Sequence, residues 1–267
     1  MKRTAKRIKG ILLALTYVAI YYIVSLFVYL AYYLWHIMDG RLSVTEIEKS
    51  ANNGSFALTV IASIICLWLY MLIGKLRRRD ITEYIQNRSV PPIICIMAAS
   101  LAVGCRFLVA VYYCSAQKID VLLKSIERAE ATSPEMNGAL QILVALFGVI
   151  IVAPLFEEVL FRGLVMGELK KIMRPWAAIT LQAILFGVAH GVLFQSIFAF
   201  AVGIVLGIVY HHTQSIKTAV ICHSVFNFST VLMQEDMSLI GNVIFITAGI
   251  LLTTLSIFYI ISNSERR

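Results

Sequence analysis

Six polar side chains able to move protons or to hydrogen-bond lie in otherwise apolar stretches of this 267-residue chain: Glu157, Glu158, Arg162, His190, His223 and Asn227. A charge at the centre of a bilayer costs roughly 2.5 to more than 10 kcal/mol, depending on the method. A chain that keeps such a cluster is therefore expected to use it. Carboxylates and imidazoles are the groups that most often transfer protons in catalysis. The set predicts an acid–base site, although the same residue types also serve proton relays.

The two adjacent glutamates are predicted to have different roles. Glu158 and Arg162 are four residues apart, with the acid N-terminal to the base. This spacing places them on one helix face as an ion pair. Glu157 lies about 100° around the helix and is expected to face the interior of the bundle. We predict that Glu157 is a general base and that Glu158 is a supporting carboxylate.

The elements that must position these residues are membrane helices. The chain is 60% hydrophobic and only 14% charged, whereas soluble domains are about half apolar and about a quarter charged. Eight apolar segments approach the length that crosses a bilayer. They cover approximately 11–36, 56–74, 91–114, 139–160, 176–193, 195–211, 216–234 and 239–262. The sequence predicts an all-α polytopic bundle of about eight spans, a single membrane domain over 1–267, and a catalytic core at approximately 139–234.

The net charge of +8 is distributed as a topology signal. Basic residues precede the first span, follow the second and fourth, and end the chain: Lys2, Arg3, Lys6, Arg7, Lys9, Lys75, Arg77, Arg78, Arg79, Arg88, Lys170, Lys171, Arg174, Arg266 and Arg267. The alternate loops are richer in acid, including Asp39, Glu127, Glu235 and Asp236. This positive-inside pattern predicts that both termini are cytoplasmic. It favours contact with the lipid bilayer over any nucleic-acid partner.

Hairpin geometry brings the candidate residues together. Glu157 and His190 lie nearly equal numbers of residues on either side of the turn expected at Arg174-Pro175, so they reach similar depths. His223 and Asn227 are four residues apart and share a helix face. Simpler interpretations stay open, because His190 could lie at the interface and the other two could only join helices by hydrogen bonds. Arg106, in the middle of the third span, could pair with a carboxylate at the site or snorkel towards water.

The loops and cysteines carry less information. Residues 50–55, Ser-Ala-Asn-Asn-Gly-Ser, predict a turn. Residues 117–131 have apolar side chains at helical spacing with charges between them, which predicts a short interfacial amphipathic helix. Five cysteines lie in or beside the spans without a Cys-x-x-Cys pair, so neither a disulfide framework nor a thiolate metal site is indicated.

Three short motifs give the chain a family resemblance. Glu157-Glu-Val-Leu-Phe-Arg162, Phe186-Gly-Val-Ala-His190 and His223-Ser-Val-Phe-Asn227 occur in this order. They resemble the Glu-Glu-x-x-x-Arg, Phe-x-x-x-His and His-x-x-x-Asn motifs of the CPBP family, which comprises CAAX proteases and bacteriocin-processing enzymes and is also called the abortive-infection type. The resemblance covers roughly residues 150–230. It implies an eight-span protease with an intramembrane active site.

The resemblance also implies roles for the six residues. Glu157 would activate water, with His190 orienting or deprotonating it. His223 and Asn227 would stabilise the oxyanion, and Glu158 with Arg162 would support the site. The family has been described both as metalloproteases and as glutamate proteases. If a metal is bound, Glu157, His190 and His223 would be the ligands of a catalytic zinc ion with water in the fourth position. No His-Glu-x-x-His is present, so residue type alone suggests zinc.

The implied substrate is a peptide or protein, membrane-associated or prenylated in CAAX-type members. The short chain is more similar to bacterial members linked to peptide or bacteriocin maturation or to self-immunity, and this predicts a multi-pass protein of a bacterial plasma membrane. Two other functions remain open. A non-enzymatic immunity or scaffold protein could share the fold, although it would not need both glutamates and both histidines. A proton-coupled transporter is the other, and the absence of repeated halves and paired broken helices in the sequence argues against it.

Overall fold

The computed structural model describes residues 2–77, 85–131, 133–135, 138–233 and 238–264. Their helices are α1 (Lys2–Asp39), α2 (Val44–Asn53), α3 (Ser55–Leu76), α4 (Pro92–Ala116), α5 (Asp120–Ala131), α6 (Ala139–Phe147), α7 (Ala153–Glu158), α8 (Met166–Lys170), α9 (Pro175–Ala189), α10 (Leu193–Thr213), α11 (Ile216–Leu232) and α12 (Leu239–Ser264). These described residues contain no strand, and one isolated bridge joins Asn87 to Ser215. The predicted all-α class is confirmed.

Each of the eight predicted apolar segments corresponds to helical structure, and six helices within the described residues are long and apolar enough to cross a membrane. Helices α9 and α11 are shorter, at 15 and 17 residues. At 1.5 Å per residue, α9 is about 22 Å long, less than the roughly 30 Å of a hydrocarbon core. The number of crossings and the cytoplasmic termini stay predictions. Arg78, Arg79, Glu235, Asp236, Arg266 and Arg267, part of the charge pattern, lie outside the described residues.

The fourth predicted span is a single helical rod from Ala139 to Lys170, interrupted by two wider π-helical turns. The first π segment covers Gly148–Val152 and the second covers Val159–Val165. Helix α7, which carries both glutamates, lies between them. π-Helical turns are rare and occur most often at functional sites. The helix thus continues past the apolar run, as predicted, and it ends before Pro175, which begins α9.

Two large buried clusters hold the bundle together, and a smaller third one joins α4 and α5 to α10. One surrounds the second π segment and joins it to α1, α3, α9, α10 and α11. The other joins α4 to α10, α11 and α12. Helices α4 and α12 approach most closely at glycines, since a Cβ on Gly104 would lie 2.7 Å from Thr253 Oγ1 and one on Gly249 would lie 3.1 Å from the Gly104 carbonyl oxygen. Small residues allow this kind of close backbone contact between membrane helices.

The turn predicted at residues 50–55 is wrong in most of its length. Residues 44–53 form α2, and only Gly54 separates it from α3. The helix is stabilised by a capping box, in which Ser43 and Glu46 bond reciprocally to each other's backbone N–H groups. The bonds from Ser43 lower the pKa of Glu46. The predicted amphipathic helix is present as α5, which begins at Asp120, and none of the five cysteines, all within the described residues, forms a disulfide.

Candidate active site

The adjacent glutamates occupy different environments, as their spacing predicts. Glu158 is fully buried, and its Oε1 accepts a hydrogen bond from Arg162 Nη1 at 2.8 Å. The Arg162 side chain is also fully buried. Glu157, in contrast, keeps 27% of its side chain exposed and lines a cavity. The predicted ion pair is therefore present, and the second carboxylate is the one that a ligand in the cavity can reach.

Helix α11 contributes His223, which contacts both carboxylates. Its Nδ1 lies 2.8 Å from Glu158 Oε1, and its Nε2 lies 3.8 Å from Glu157 Oε2. Since an ionised carboxylate only accepts hydrogen bonds, we assign Nδ1 as the donor to Glu158. The neutral ring then has its lone pair on Nε2, next to Glu157. The arrangement is like the carboxylate–imidazole pair of a serine-protease triad, in which a buried carboxylate fixes the tautomer and stabilises the imidazolium.

Asn227, one helical turn after His223, anchors the first π segment. Its Nδ2 donates to the backbone carbonyl of Val149 at 2.9 Å. In a π-helix the Val149 carbonyl would pair five residues on, with Pro154, which has no N–H. The proline therefore leaves a carbonyl that needs another donor, and Asn227 supplies it. An amide has two N–H groups on Nδ2, so one remains after this bond.

His190 caps helix α9, which is shorter than the predicted span of 176–193. The helix ends at Ala189, and Gly191 adopts a left-handed φ of +71° that reverses the chain. His190 Nδ1 lies 2.8 Å from the Phe186 carbonyl oxygen, which can only accept. The tautomer is therefore fixed with Nδ1 as the donor, and the neutral ring keeps its lone pair on Nε2. The ring is partly buried and lines the same cavity as Glu157.

Four of the six predicted residues line a single cavity of about 490 Å³: Glu157, His190, His223 and Asn227. Arg106 also borders it, although its side chain is fully buried and lies behind the accessible surface. The remaining wall is mainly apolar and aromatic, and it includes Phe56, Val109, Phe186, Phe194, Phe198 and Phe226. Glu158 and Arg162 are absent from this wall and support it from behind. A cleft of this size, apolar with a few convergent polar groups, is typical of a ligand or active site.

The set Glu157, His190 and His223 does not fit a metal ion in this arrangement. In the part of the chain that the structure describes, no three His, Cys, Asp or Glu side chains form a group that could hold one. Nδ1 of His223 is already bonded to Glu158, and Nδ1 of His190 is bonded to a backbone carbonyl. These bonds leave both Nε2 atoms available, as is usual for metal-ligating histidines, so it is the separation of the three side chains, and not their bonding, that leaves them ungrouped.

Sequence reasoning missed the part that Phe186 has in the site. Its carbonyl orients His190, and its ring lies 4.5 Å below the Arg162 guanidinium carbon. The same ring packs edge-on against His190 and His223, with centroids 4.8 and 5.8 Å away. In the sequence, Phe186 was only the first residue of the motif that ends at His190, and no role was predicted for it. Its central position follows from α9 packing across the second π segment, which no local pattern reports.

The region that carries these residues is similar to a known protein family. Residues 139–229 match the family model "Rce1-like: Type II CAAX prenyl endopeptidase Rce1-like". The match is consistent with the resemblance of the three motifs to the CPBP family and supports a membrane endopeptidase in general. It covers about a third of the chain and contains all six predicted site residues. No curated protein and no solved structure matched the chain. Together with the apolar helices, this match indicates a multi-pass integral membrane protein.

Proposed function

We propose that this chain is an intramembrane endopeptidase in which Glu157 activates a water molecule for attack on a peptide bond. The observation that carries the proposal is that the two adjacent glutamates have different surroundings. Glu158 is sealed between Arg162 and His223, whereas Glu157 faces the cavity beside two imidazoles. A general base must be reachable by the water that it deprotonates. Among the two, only Glu157 meets this requirement.

In the proposed reaction, the Glu157 carboxylate accepts a proton from water, and the water oxygen bonds to the carbonyl carbon of the scissile amide. His190 orients the water through Nε2, since its Nδ1 is held by a backbone carbonyl. The tetrahedral intermediate then breaks its C–N bond, and the proton held by Glu157 passes to the leaving amine. The products are a carboxylic acid and an amine, so that one water is consumed for each bond cleaved.

The oxyanion of the intermediate is stabilised from α11. In its protonated form, with Nδ1–H held by Glu158, the His223 ring has an Nε2–H that can donate to an oxyanion in the cavity. Asn227 adds the amide N–H that is left after its bond to Val149. Loss of one oxyanion-hole donor typically costs about 100- to 1,000-fold in rate. No step passes through a metal ion, in keeping with the lack of a fitting ligand group among the described residues.

The proposed substrate is a membrane-associated peptide with an apolar group beside the scissile bond. The aromatic and aliphatic wall of the cavity suits such a group, and a prenylated C-terminal peptide is one candidate. The alternative is an unmodified hydrophobic peptide, as in peptide or bacteriocin maturation. Both present the same apolar chemistry to the wall, so cleavage must be compared directly between them.

The test uses purified protein in nanodiscs with fluorogenic peptides, each prepared with and without a prenyl group. We expect cleavage by the wild type and a loss of about 100- to 10,000-fold in Glu157→Gln, the usual contribution of a general base. Glu168→Gln is the matched control. It neutralises a buried glutamate of the same rod, at the far end from the cavity, where Glu168 pairs with Arg77 and Lys171.

Full cleavage by folded Glu157→Gln would overturn the catalytic assignment. If the wild type cleaves none of the peptides yet binds them, the non-enzymatic scaffold function would replace the proposal. Equal cleavage of prenylated and unmodified peptides would reject prenyl selectivity and leave the endopeptidase assignment standing.

A further inference from the structure

The close contact between α9 and α10 contains a polar connection to the site. The Gly203 carbonyl of α10 lies 2.9 Å from Gln182 Nε2 and 3.2 Å from Arg162 Nη2. A carbonyl oxygen has two lone pairs and can accept both bonds. Gln182 Nε2 also donates to the Ile179 carbonyl at 3.0 Å. Both partners of the Gln182 amide are acceptors, which fixes the orientation of its N–H groups.

This connection is sterically tight. Gln182 and Arg162 are both fully buried. A Cβ on Gly207 would lie 2.9 Å from Gln182 Nε2, and a Cβ on Gly203 would lie 3.2 Å from both Ala183 Cα and Phe186 Cδ1. The two glycines of α10 therefore let the Gln182 amide and the Phe186 ring approach its backbone. A side chain larger than hydrogen at either glycine would press on Gln182, Ala183 or Phe186.

From Gly203 the bonds continue to the proposed catalytic imidazole. Arg162 donates through Nη2 to Gly203 and through Nη1 to Glu158 at 2.8 Å. Glu158 Oε1 in turn accepts from His223 Nδ1 at 2.8 Å. A guanidinium is planar and rigid, so the position of one nitrogen determines that of the other. The position of the Gly203 carbonyl therefore affects the orientation of His223, through Arg162 and Glu158.

We propose that Gln182 is a positioning residue that fixes the Gly203 carbonyl and, through Arg162 and Glu158, the orientation of His223. The proposal rests on the function proposed above. Gln182 does not border the cavity and touches no substrate. It crosses from α9 to the carbonyl that Arg162 also uses, and it thereby sets the angle of the guanidinium.

A purely structural role is the alternative, in which Gln182 joins two membrane helices by a hydrogen bond. The two roles differ in their coupling to Glu158. If Gln182 only joins helices, loss of its bond would lower the free energy of unfolding by the same amount whether or not Glu158 is charged. A positioning bond acts through Arg162 and Glu158, so that its effect on the reaction disappears once that connection is broken.

The test measures kcat and KM for Gln182→Met, which removes both N–H groups at similar volume. We expect kcat to fall about 10- to 100-fold, as small misplacements of catalytic groups do, with KM unchanged. In a Glu158→Gln background, whose residual cleavage is the reference, Gln182→Met should add no further loss. Gly207→Ala is a second variant, which displaces the amide from the opposite helix and should give the same pattern.

Thr180→Val is the matched control, because Thr180 lies on the same helix and bonds only within it, to the Trp176 carbonyl. Equal kcat losses from Gln182→Met in both backgrounds, or a change confined to KM, would overturn the proposal. The ¹⁵N resonances of His223 give a readout that needs no cleavage. A change in these resonances in Gln182→Met but not in Thr180→Val supports the positioning role even if the proposed protease activity fails. Unchanged resonances reject it.

Discussion

Removing the Arg162 guanidinium isolates the carboxylate of Glu158 inside the bundle. Both side chains are fully buried, and Arg162 makes three contacts: the bond to Glu158 at 2.8 Å, the bond to the Gly203 carbonyl at 3.2 Å and the ring of Phe186 at 4.5 Å. Breaking one partner of a buried ion pair typically costs about 3–5 kcal/mol, because the other charge is left uncompensated. We therefore predict that Arg162→Met lowers the free energy of unfolding by about 3–5 kcal/mol.

Most of this loss comes from the unpaired carboxylate of Glu158, so a second substitution that removes this charge should restore most of the stability. Adding Glu158→Gln to Arg162→Met removes that charge, and the amide oxygen can still accept from His223. The double variant should then be only about 1–2 kcal/mol less stable than the wild type, the cost of the bond to Gly203. The assay is reversible unfolding in mixed micelles, with Arg77→Met as the control. Arg77 also pairs with a glutamate, Glu168 at 3.0 Å, but is 27% exposed, so its loss should cost about 1 kcal/mol.

Two results would refute this reasoning. An Arg162→Met variant as stable as the wild type would show that the buried charge pair is energetically unimportant. A double variant as unstable as the sum of the single variants would show that the two side chains do not act on each other.

Three further predictions concern the surroundings of the site. Asn227→Leu should leave the Val149 carbonyl without its donor and cost about 1–3 kcal/mol in unfolding free energy, with a loss of cleavage; unchanged stability would contradict the role given to the amide. Gly104→Ala should force α4 and α12 apart and cost about 1–3 kcal/mol, whereas Gly138→Ala, where a Cβ would meet no atom within 4 Å, should not change thermal unfolding. A chelator should leave cleavage unchanged in a peptide assay, and inhibition reversed by added zinc would contradict a metal-independent reaction.

Much of the bundle could be predicted because the apolar segments are long and the charges lie between them. Local spacing also predicted the ion pair of Glu158 with Arg162, since both lie on one helix four residues apart. What spacing could not provide was the partner of that pair on another helix. His223 bonds to Glu158 across the bundle, and its ring orientation depends on tertiary packing.

The two π segments were beyond a sequence-based prediction for a different reason. A widened turn follows from competition between carbonyl acceptors, and only one of its causes, Pro154, is visible in the chain. The end of α9 at Ala189 was also missed, because the apolar pattern continues through Val192 and Leu193 while the backbone reverses at Gly191. Gln182 was overlooked since a single amide in an apolar helix has no spacing signal. Its importance depends on a glycine that lies 21 residues away.

The most direct test of the account compares Glu157→Gln with Glu158→Gln in one preparation, measuring kcat for peptide cleavage and unfolding free energy for each. The account predicts that Glu157→Gln abolishes cleavage while unfolding like the wild type, because its carboxylate faces the cavity. Glu158→Gln should lose stability as well as activity, because it breaks a buried ion pair. Equal effects of the two substitutions on both quantities, or cleavage that survives in Glu157→Gln alone, would contradict the assignment of one catalytic and one supporting carboxylate.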